Sequence, residues 1–377
     1  MPPEPPSDAS DARGVRPWLL LLAGALAIVL RAPNLVLAPR LWAEDATLYE
    51  FAWREGSLAV LGHAIPDYLP WFANVAAAVG AALAPERAPL APTIAGLLAL
   101  LAPLTVMLWG RSALWGTGRR RLLSLAIVLF AMPSGEVWLN AINAQFPMTL
   151  AALFVLADDG ASSAGGLRRN WLRLVLLFAG LSGLAPCLIL PLFVLRAWRE
   201  RDREPWIQAA CLGAGAAVQA TMFLVHRRSA GHRARELEAA VLGGAAFIKL
   251  VCRPLLPPRW THLIAQELRE RAVAGQLGAL GLAAGAWTAA WVGFLAAAPR
   301  ALRRALSPRL AVALCVLPAL AFGNQAGRHT LLQIASAERY FYVPVVLLAL
   351  VAAARAHEDG AQVRPARWAR AAFVTLV

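Results

Sequence analysis

The 377-residue sequence has few charged residues and almost no lysine. Charged side chains make up 15% of it, against about 25% in a typical soluble domain, and Lys249 is the only lysine. Hydrophobic residues make up 59%, and apolar runs of roughly 15 to 25 residues recur along the whole chain. The sequence therefore predicts an all-α fold, a polytopic transmembrane helical bundle of about 10–11 spans, formed as one domain by residues 17–377.

The motifs of several common sites are missing as well. The four cysteines lie far apart in apolar surroundings, and the sequence contains no CxxC, HExxH, P-loop or GxGxxG pattern. This argues against a structural zinc site, a disulfide framework or a nucleotide-binding loop, and no metal ligands are predicted. The net charge is +14, nearly all of the positive charge is arginine, and much of this arginine lies in short loops. We interpret this arginine as orienting membrane spans by the positive-inside rule, and we expect no nucleic acid partner.

The arginine-rich loops predict how the chain crosses the membrane. Residues 1–16 are rich in proline and serine and are predicted to form a disordered tail in the cytoplasm. The basic loops that are also predicted to be cytoplasmic are 111–121, 168–170, 196–203, 300–309 and 355–370. With a first span at 18–30, this arrangement places residues 37–89 and 226–272 on the external side.

The apolar runs predict the remaining helices. Further spans are expected at 90–109, 122–132, 148–157, 206–225, 275–298, 310–322 and 340–354. Residues 171–198 are interrupted at 180–186 and are predicted to form a helical hairpin. Two runs, 69–84 and 239–251, are predicted to lie on the outer surface; a helix over the first would measure about 24 Å, short of a hydrocarbon core of roughly 30 Å. The last apolar stretch, 371–377, is too short to cross, so the chain is expected to be truncated inside a span.

An acidic pair stands out in the predicted external loop. In the stretch RLWAEDATLYEF, Glu44 and Asp45 follow the first apolar run and are flanked by aromatic residues. Ionisable groups at membrane depth are costly to bury and indicate function. A carboxylate can take a proton from a hydroxyl, aromatic rings stack on sugars, and arginine binds phosphate through its planar fork. The other polar residues predicted to gather on the outer side are Glu136, Asn140, Asn143, Gln145, Arg328, Glu338, Arg339 and Tyr340. This combination would suit a phospholipid-linked sugar.

The layout of these motifs resembles the GT-C superfamily of integral membrane glycosyltransferases. AEDATLYEFAWREG, residues 43–56, resembles the acidic and aromatic pattern of that family's first external loop. PDYLPWF resembles the proline-rich pattern that follows, and EVWLNAINAQF falls where many members carry a second polar motif. AERYFYVP, residues 337–344, resembles an Arg-Tyr motif at the outer mouth of a late span. The second-loop DxD of the best-known members is absent, and Glu136 with Asn140 stands in its place.

The resemblance implies an activity and assigns roles to the candidate residues. Asp45 would activate the acceptor hydroxyl, with Glu44 as the alternative, and the donor would be a polyprenyl-phosphate-linked sugar transferred with inversion. Arg339 and Arg328 would hold the donor phosphate, and Tyr340 would line the pocket. The residues expected to bind substrate or a divalent cation are Glu136, Asn140, Asn143 and Gln145, with Tyr68 of the proline-rich motif as a further substrate contact. The expected partners are a glycan or lipid acceptor and membrane lipids, at the extracytoplasmic face of a bacterial inner membrane.

Simpler interpretations remain open for the same residues. The acidic pair could only mark the start of a helix, and the Asn140, Asn143 and Gln145 side chains could bond between helices. Arg339 and Tyr340 could be an interfacial anchor. Two functions compete with this one: a polymerase or ligase of surface polysaccharide, and a transporter or flippase of lipid-linked sugars. Transporters show internal repeats, and we find none, which favours an enzyme.

Overall fold

The computed structural model is helical wherever it describes the chain, which is at residues 16–65, 68–130, 135–226, 238–295, 315–316, 330–334 and 337–360. Within those ranges there is no strand, and the predicted all-α class is confirmed. The helices are α1 Pro17–Arg31, α2 Pro33–Leu37, α3 Ala43–Glu55, α4 Trp71–Ala81, α5 Leu90–Trp109, α6 Gly118–Phe130, α7 Gln145–Ala157, α8 Gly166–Leu181, α9 Leu184–Cys187, α10 Leu190–Glu200, α11 Arg203–His226, α12 Ala239–Phe247, α13 Arg253–Leu255, α14 Pro258–Val273, α15 Gly278–Leu295 and α16 Glu338–Gly360. A π-helical turn, Ile248–Cys252, joins α12 to α13.

Several helices are suited to a membrane. In the part of the chain that is described, three are long and apolar enough to cross one: α5, α11 and the segment Glu338–Ala356 of α16. A fourth span results if α8 and the segment Leu184–Glu200 count as one, although their axes differ by 117°. The apolar helices α1, α4 and α7 are shorter. These helices indicate membrane association, while the larger number of spans and their sidedness stay predictions.

Helix boundaries follow the sequence pattern closely in most places. The span predicted at 90–109 coincides with α5, and the break predicted at 180–186 separates α8 from α9. Helices α3 and α14 were not predicted, because both segments were assigned to external loops. The buried residues of α14 are Thr261, Ala265 and Leu268, and charged residues interrupt its remaining apolar ones, so it contains no long apolar run. Residues 1–15, 227–237 and 361–377 lie outside the described ranges, as does most of the span predicted at 310–322.

Helix α7 is at the centre of the bundle. Every side chain from Phe146 to Ala157 is buried, and α5, α8 and α16 pack around it. Its 13 residues measure about 20 Å along the axis. The two ends of α7 therefore define two ends of the bundle, and each end gathers a different set of polar groups.

Three of the arginine-rich segments meet at the C-terminal end of α7. The carboxylate of Asp158 accepts a hydrogen bond from the backbone nitrogen of Arg111 at 3.0 Å and pairs with the Arg168 guanidinium. The buried Arg196 donates to the carbonyl oxygens of Val155 at 3.2 Å and Leu156 at 3.1 Å, which caps the helix. The loops at 111–121 and 168–170 and the start of the 196–203 segment thus share one end of the bundle, as their common orientation required.

A second, smaller hydrophobic cluster holds the acidic helix in place. Leu48 and Ala52 of α3 pack with Ala73 and Ala77 of α4 and with Ile142 of the loop before α7. Asp45, Leu48 and Ala52 are spaced three and four residues apart, so they lie on one face of α3. Packing of that face turns Asp45 into the protein.

Candidate functional site

Asp45 is a buried carboxylate without a hydrogen-bond partner. Helix α3 begins at Ala43, so Glu44 and Asp45 occupy its first turn. The Asp45 side chain is 4% exposed, and neither of its oxygens makes a hydrogen bond. Acidic residues in a first turn benefit from the free amides and dipole of the helix, but a solvated cap would be exposed. Burial of a polar group without a partner is costly, and this cost distinguishes Asp45 from an ordinary helix start.

Burial also changes the acidity of Asp45. Burial and, to a smaller extent, the negative charge of Glu44 raise the pKa of the carboxyl group, and backbone groups of Trp42 and Ile142 lower it; the net result is a pKa of about 7. A carboxyl group with that pKa exists in both protonation states near neutral pH. It can therefore accept a proton from a substrate hydroxyl more effectively than an ordinary, more acidic carboxylate.

Tyr68 is the residue on which the separate motifs converge. It lies just before α4 and is partly buried. Burial raises the pKa of its hydroxyl, and the charges of Glu44, Asp45 and the Tyr340 hydroxyl raise it as well, whereas Arg339 lowers it. Groups from α3 and from α16, almost 300 positions apart in sequence, therefore act on the same phenol. These electrostatic contributions are consistent with the acidic motif and the Arg-Tyr motif lining one site, which stays a prediction.

Glu136 and Arg339 connect the second polar motif to the late helix. The backbone nitrogen of Arg339 donates to the Glu136 carboxylate at 3.3 Å. The guanidinium of Arg339 lies 5.2 Å from the ring centre of Tyr340. The Tyr340 ring in turn meets Phe146 edge-on, with 5.5 Å between ring centres, at the start of α7. The site is thus built at the N-terminal end of α7, opposite the arginine-rich end.

The amide side chains of the second motif bond to the protein itself. The amides of Asn140 and Asn143 donate to the backbone carbonyl of Glu136 at 3.2 and 2.6 Å, so they shape the loop that carries this carboxylate. The amide oxygen of Gln145 accepts a hydrogen bond from the backbone nitrogen of Ala185 at 3.4 Å, which links α7 to α9. Gln145 therefore fits the interpretation that these amide side chains bond between helices. Direct substrate binding by Asn140, Asn143 and Gln145 stays a prediction.

The structure adds two charged residues to the site, Lys249 and Arg253. Lys249 is fully buried, and its ammonium group donates to the carbonyls of Gln333 and Ile334, both at 2.6 Å. Arg253 pairs with Glu338 at 2.6 Å. Burial and the charge of Arg253 lower the pKa of Lys249, and Glu338 and Glu136 raise it; the net result is a pKa of about 7. The sequence did contain a signal, because a single lysine interrupts the apolar run at 239–251.

Two predicted features cannot be placed in this arrangement. Arg328, the second expected phosphate ligand, lies outside the described residues. Among the residues that are described, no three histidine, cysteine or acidic side chains are grouped as metal ligands would be. A divalent cation at Glu136 and Asn140 stays a prediction.

Comparison with known proteins adds no family to this description. The sequence matches no protein-family model, no curated protein and no solved structure.

Proposed function

We propose that this protein is a membrane glycosyltransferase of the GT-C type. It transfers a sugar from a polyprenyl-phosphate donor to an acceptor hydroxyl at the extracytoplasmic face of a bacterial inner membrane, for synthesis of a cell-envelope glycan or glycolipid. The observation that carries the proposal is Asp45, a buried carboxylate that has no hydrogen-bond partner and lies in the same electrostatic environment as Tyr68 and Arg339.

The chemistry assigns one task to each of these groups. The Asp45 carboxylate takes the proton of the acceptor hydroxyl, and the acceptor oxygen forms a bond to the anomeric carbon of the donor sugar. The bond between that carbon and the phosphate oxygen breaks, so polyprenyl phosphate leaves and the anomeric configuration inverts. The guanidinium of Arg339 stabilises the negative charge that develops on the departing phosphate. Glu44 is the alternative base.

An apolar cavity supports a lipid-linked donor. It has a volume of about 740 Å³ and lies between α12, α14 and α15. Its lining includes Phe247, Trp260 and Trp287, with Glu267 as the one charged residue. Such a surface suits an isoprenoid chain, and Phe247 precedes the buried Lys249 by two positions.

The polarity of the bundle supports the proposed side of the membrane. The arginine-rich segments share the C-terminal end of α7, and the Glu136 loop precedes its N-terminus. If the arginines face the cytoplasm by the positive-inside rule, the acidic site faces outward.

The test is sugar transfer by an Asp45→Asn variant reconstituted with a polyprenyl-phosphate sugar and acceptor. Loss of the base should lower the transfer rate by roughly 100-fold or more, while the protein still inserts and folds. The matched control is Glu50→Gln on the same helix, because Glu50 is 56% exposed and pairs only with Arg54 among the charges of α3. A transfer rate in the Asn variant equal to that of the wild type contradicts the proposal.

A transporter of lipid-linked sugars is the second candidate, and one observation favours it. Helices α8 and α10 are separated by a sharp break at which Gly183 has a φ of 151°, and broken helices are typical of transporter sites. The same reconstituted vesicles separate the two functions. A transporter moves the intact donor across the bilayer and forms no glycosidic bond, whereas the proposed enzyme releases polyprenyl phosphate.

A further inference from the structure

Lys249 occupies an unusual position for a cation in this chain. Of 36 lysine and arginine residues, it is the only lysine, and its side chain is fully buried. It belongs to the π-helical turn Ile248–Cys252, all of whose residues are buried. Burial of a cation is expensive unless the ammonium group is fully bonded, and π turns are frequent at functional sites. A specific task for this side chain would offset that cost.

Within the described part of the chain, Lys249 bonds to two adjacent residues ahead of α16. Its ammonium group donates to the carbonyl oxygens of Gln333 and Ile334. Arg253, four positions later, donates to the same Ile334 carbonyl at 3.2 Å and pairs with Glu338. Two cations from one side of the bundle therefore bind Gln333, Ile334 and Glu338.

Glu338 leads directly into the candidate site. Arg339 follows Glu338, and its backbone nitrogen donates to the Glu136 carboxylate. Any shift of Glu338 would move Arg339 away from Glu136 and from the Tyr340 ring. The position of Glu338 consequently decides where Arg339, the proposed phosphate ligand, lies.

We propose that Lys249 is a positioning residue: with Arg253 it fixes Gln333, Ile334 and Glu338, and thereby places Arg339 to bind the phosphate of the donor. This role rests on the proposed function, since it assigns to Arg339 the phosphate of a lipid-linked sugar. Lys249 itself need not contact the substrate, because two of its donors are used by the segment that it holds.

The choice of lysine is consistent with this role. An ammonium group is compact and directs its three donors tetrahedrally, so it can bond two adjacent carbonyls at short range inside a packed core. A guanidinium is larger and planar, and it would have to displace the surrounding buried residues, which include Val251 and Cys252. Glu136 and Glu338 supply compensating negative charge.

The experiment compares Lys249→Met with the wild type in the reconstituted transfer assay. Methionine keeps the length of the side chain but leaves the two carbonyls without their donor. We expect the KM for the polyprenyl-phosphate sugar to rise by about tenfold or more, with the KM for the acceptor unchanged. The matched control is Arg259→Met, which removes an exposed cation of α14. If only kcat falls and both KM values are unchanged, Lys249 merely maintains the amount of folded protein, and the proposal is wrong.

A second measurement does not depend on activity. Amide hydrogen exchange at 337–341 should accelerate in Lys249→Met, while exchange in α7 stays as slow as in the wild type. Equal exchange at 337–341 in both proteins overturns the positioning role even if the enzyme transfers sugar. Faster exchange in Lys249→Met, combined with no sugar transfer by the wild-type protein, supports the positioning role of Lys249 and instead refutes the proposed function. Should Lys249→Met not fold, Arg253→Gln tests the same segment and is expected to change exchange and donor KM in the same direction.

Discussion

At the scale of single residues, the environment of Asp45 decides its chemistry. Glu44 and Asp45 are neighbours of the same type, yet only Asp45 is on the face of α3 that packs against the small hydrophobic cluster. Desolvation raises the pKa of a buried carboxyl group because it penalises the charged form. The acidic motif therefore contains one titratable group with an altered pKa and a more accessible neighbour, which favours Asp45 over Glu44 as the base.

The raised pKa of Asp45 predicts a pH-dependent stability. An unfolded aspartate has a pKa of about 3.9, so between about pH 4 and pH 7 the folded state retains a proton that the unfolded state has lost. The free energy of unfolding therefore falls as pH rises through this window, and the loss is complete above pH 7. Asp45→Asn removes the effect. We expect the melting temperature of the variant, relative to the wild type, to be higher at pH 8 than at pH 5.

Thermal unfolding in detergent or nanodiscs measures this difference at both pH values. The absolute offset between the two proteins also contains the cost of burying an amide, but that cost does not change with pH. If the melting temperatures of Asp45→Asn and the wild type differ by the same amount at pH 5 and at pH 8, the pKa of Asp45 is not raised. Glu50→Gln, on the exposed face of α3, should show no such pH dependence.

At the scale of elements, the site depends on how closely α5 approaches the loop before α7. A methyl group built on Gly96 would lie 2.1 Å from the backbone nitrogen of Asn140 and 2.5 Å from the carbonyl carbon of Leu139. Backbone atoms cannot move away as a flexible side chain can. The same loop carries Glu136. The packing of α5 against this loop therefore fixes the position at which the Glu136 carboxylate meets Arg339.

Gly96→Ala tests this contact. The substitution should separate α5 from the loop and lower the melting temperature by roughly 3–10 °C, the range expected for overpacking in a protein of this kind. Gly278→Ala is the matched control, because a methyl group there meets nothing within 4 Å, and alanine favours the helix. Equal melting temperatures for Gly96→Ala and the wild type would show that α5 and the loop are not in close contact.

At the scale of the whole molecule, the bundle has two chemically different ends. One end gathers Arg111, Arg168 and Arg196 around the C-terminus of α7, and the other gathers the carboxylates, tyrosines and Arg339. This asymmetry is the pattern that the positive-inside rule produces in a membrane protein. It leads to a prediction about which residues face the two aqueous compartments.

Single cysteines placed at the two ends should differ in their accessibility. Ala46 is exposed beside the acidic pair, and Ser163 is exposed in the arginine-rich loop between α7 and α8. In intact cells, an impermeant thiol reagent should label Ala46→Cys but should label Ser163→Cys only after lysis. The four native cysteines are replaced beforehand to remove background. Labelling of Ser163→Cys alone in intact cells would reverse the proposed topology.

Much of the helical layout could be predicted from the sequence, and the reason is local. Apolar runs bounded by arginine, proline or glycine predicted α5, α11 and α16 to within a few residues, and the interruption before Pro186 predicted the break after α8. Helix α14 was missed because charged residues interrupt its apolar ones, so that no long apolar run marks it. Prediction from apolar runs finds helices that are apolar on all sides, and it overlooks amphipathic helices.

The sequence by itself determined that the chain is helical and apolar, that it carries an acidic pair after the first apolar run, and that arginine gathers in a few loops. Only the tertiary structure decided that Asp45 turns inward, that the Asn140 and Asn143 amides bond to their own loop, and that Lys249 joins the Arg339 segment. The physical reason is that helix formation and membrane affinity depend on neighbours along the chain. Burial, pKa and hydrogen bonding depend on groups that are distant in sequence and meet only after packing.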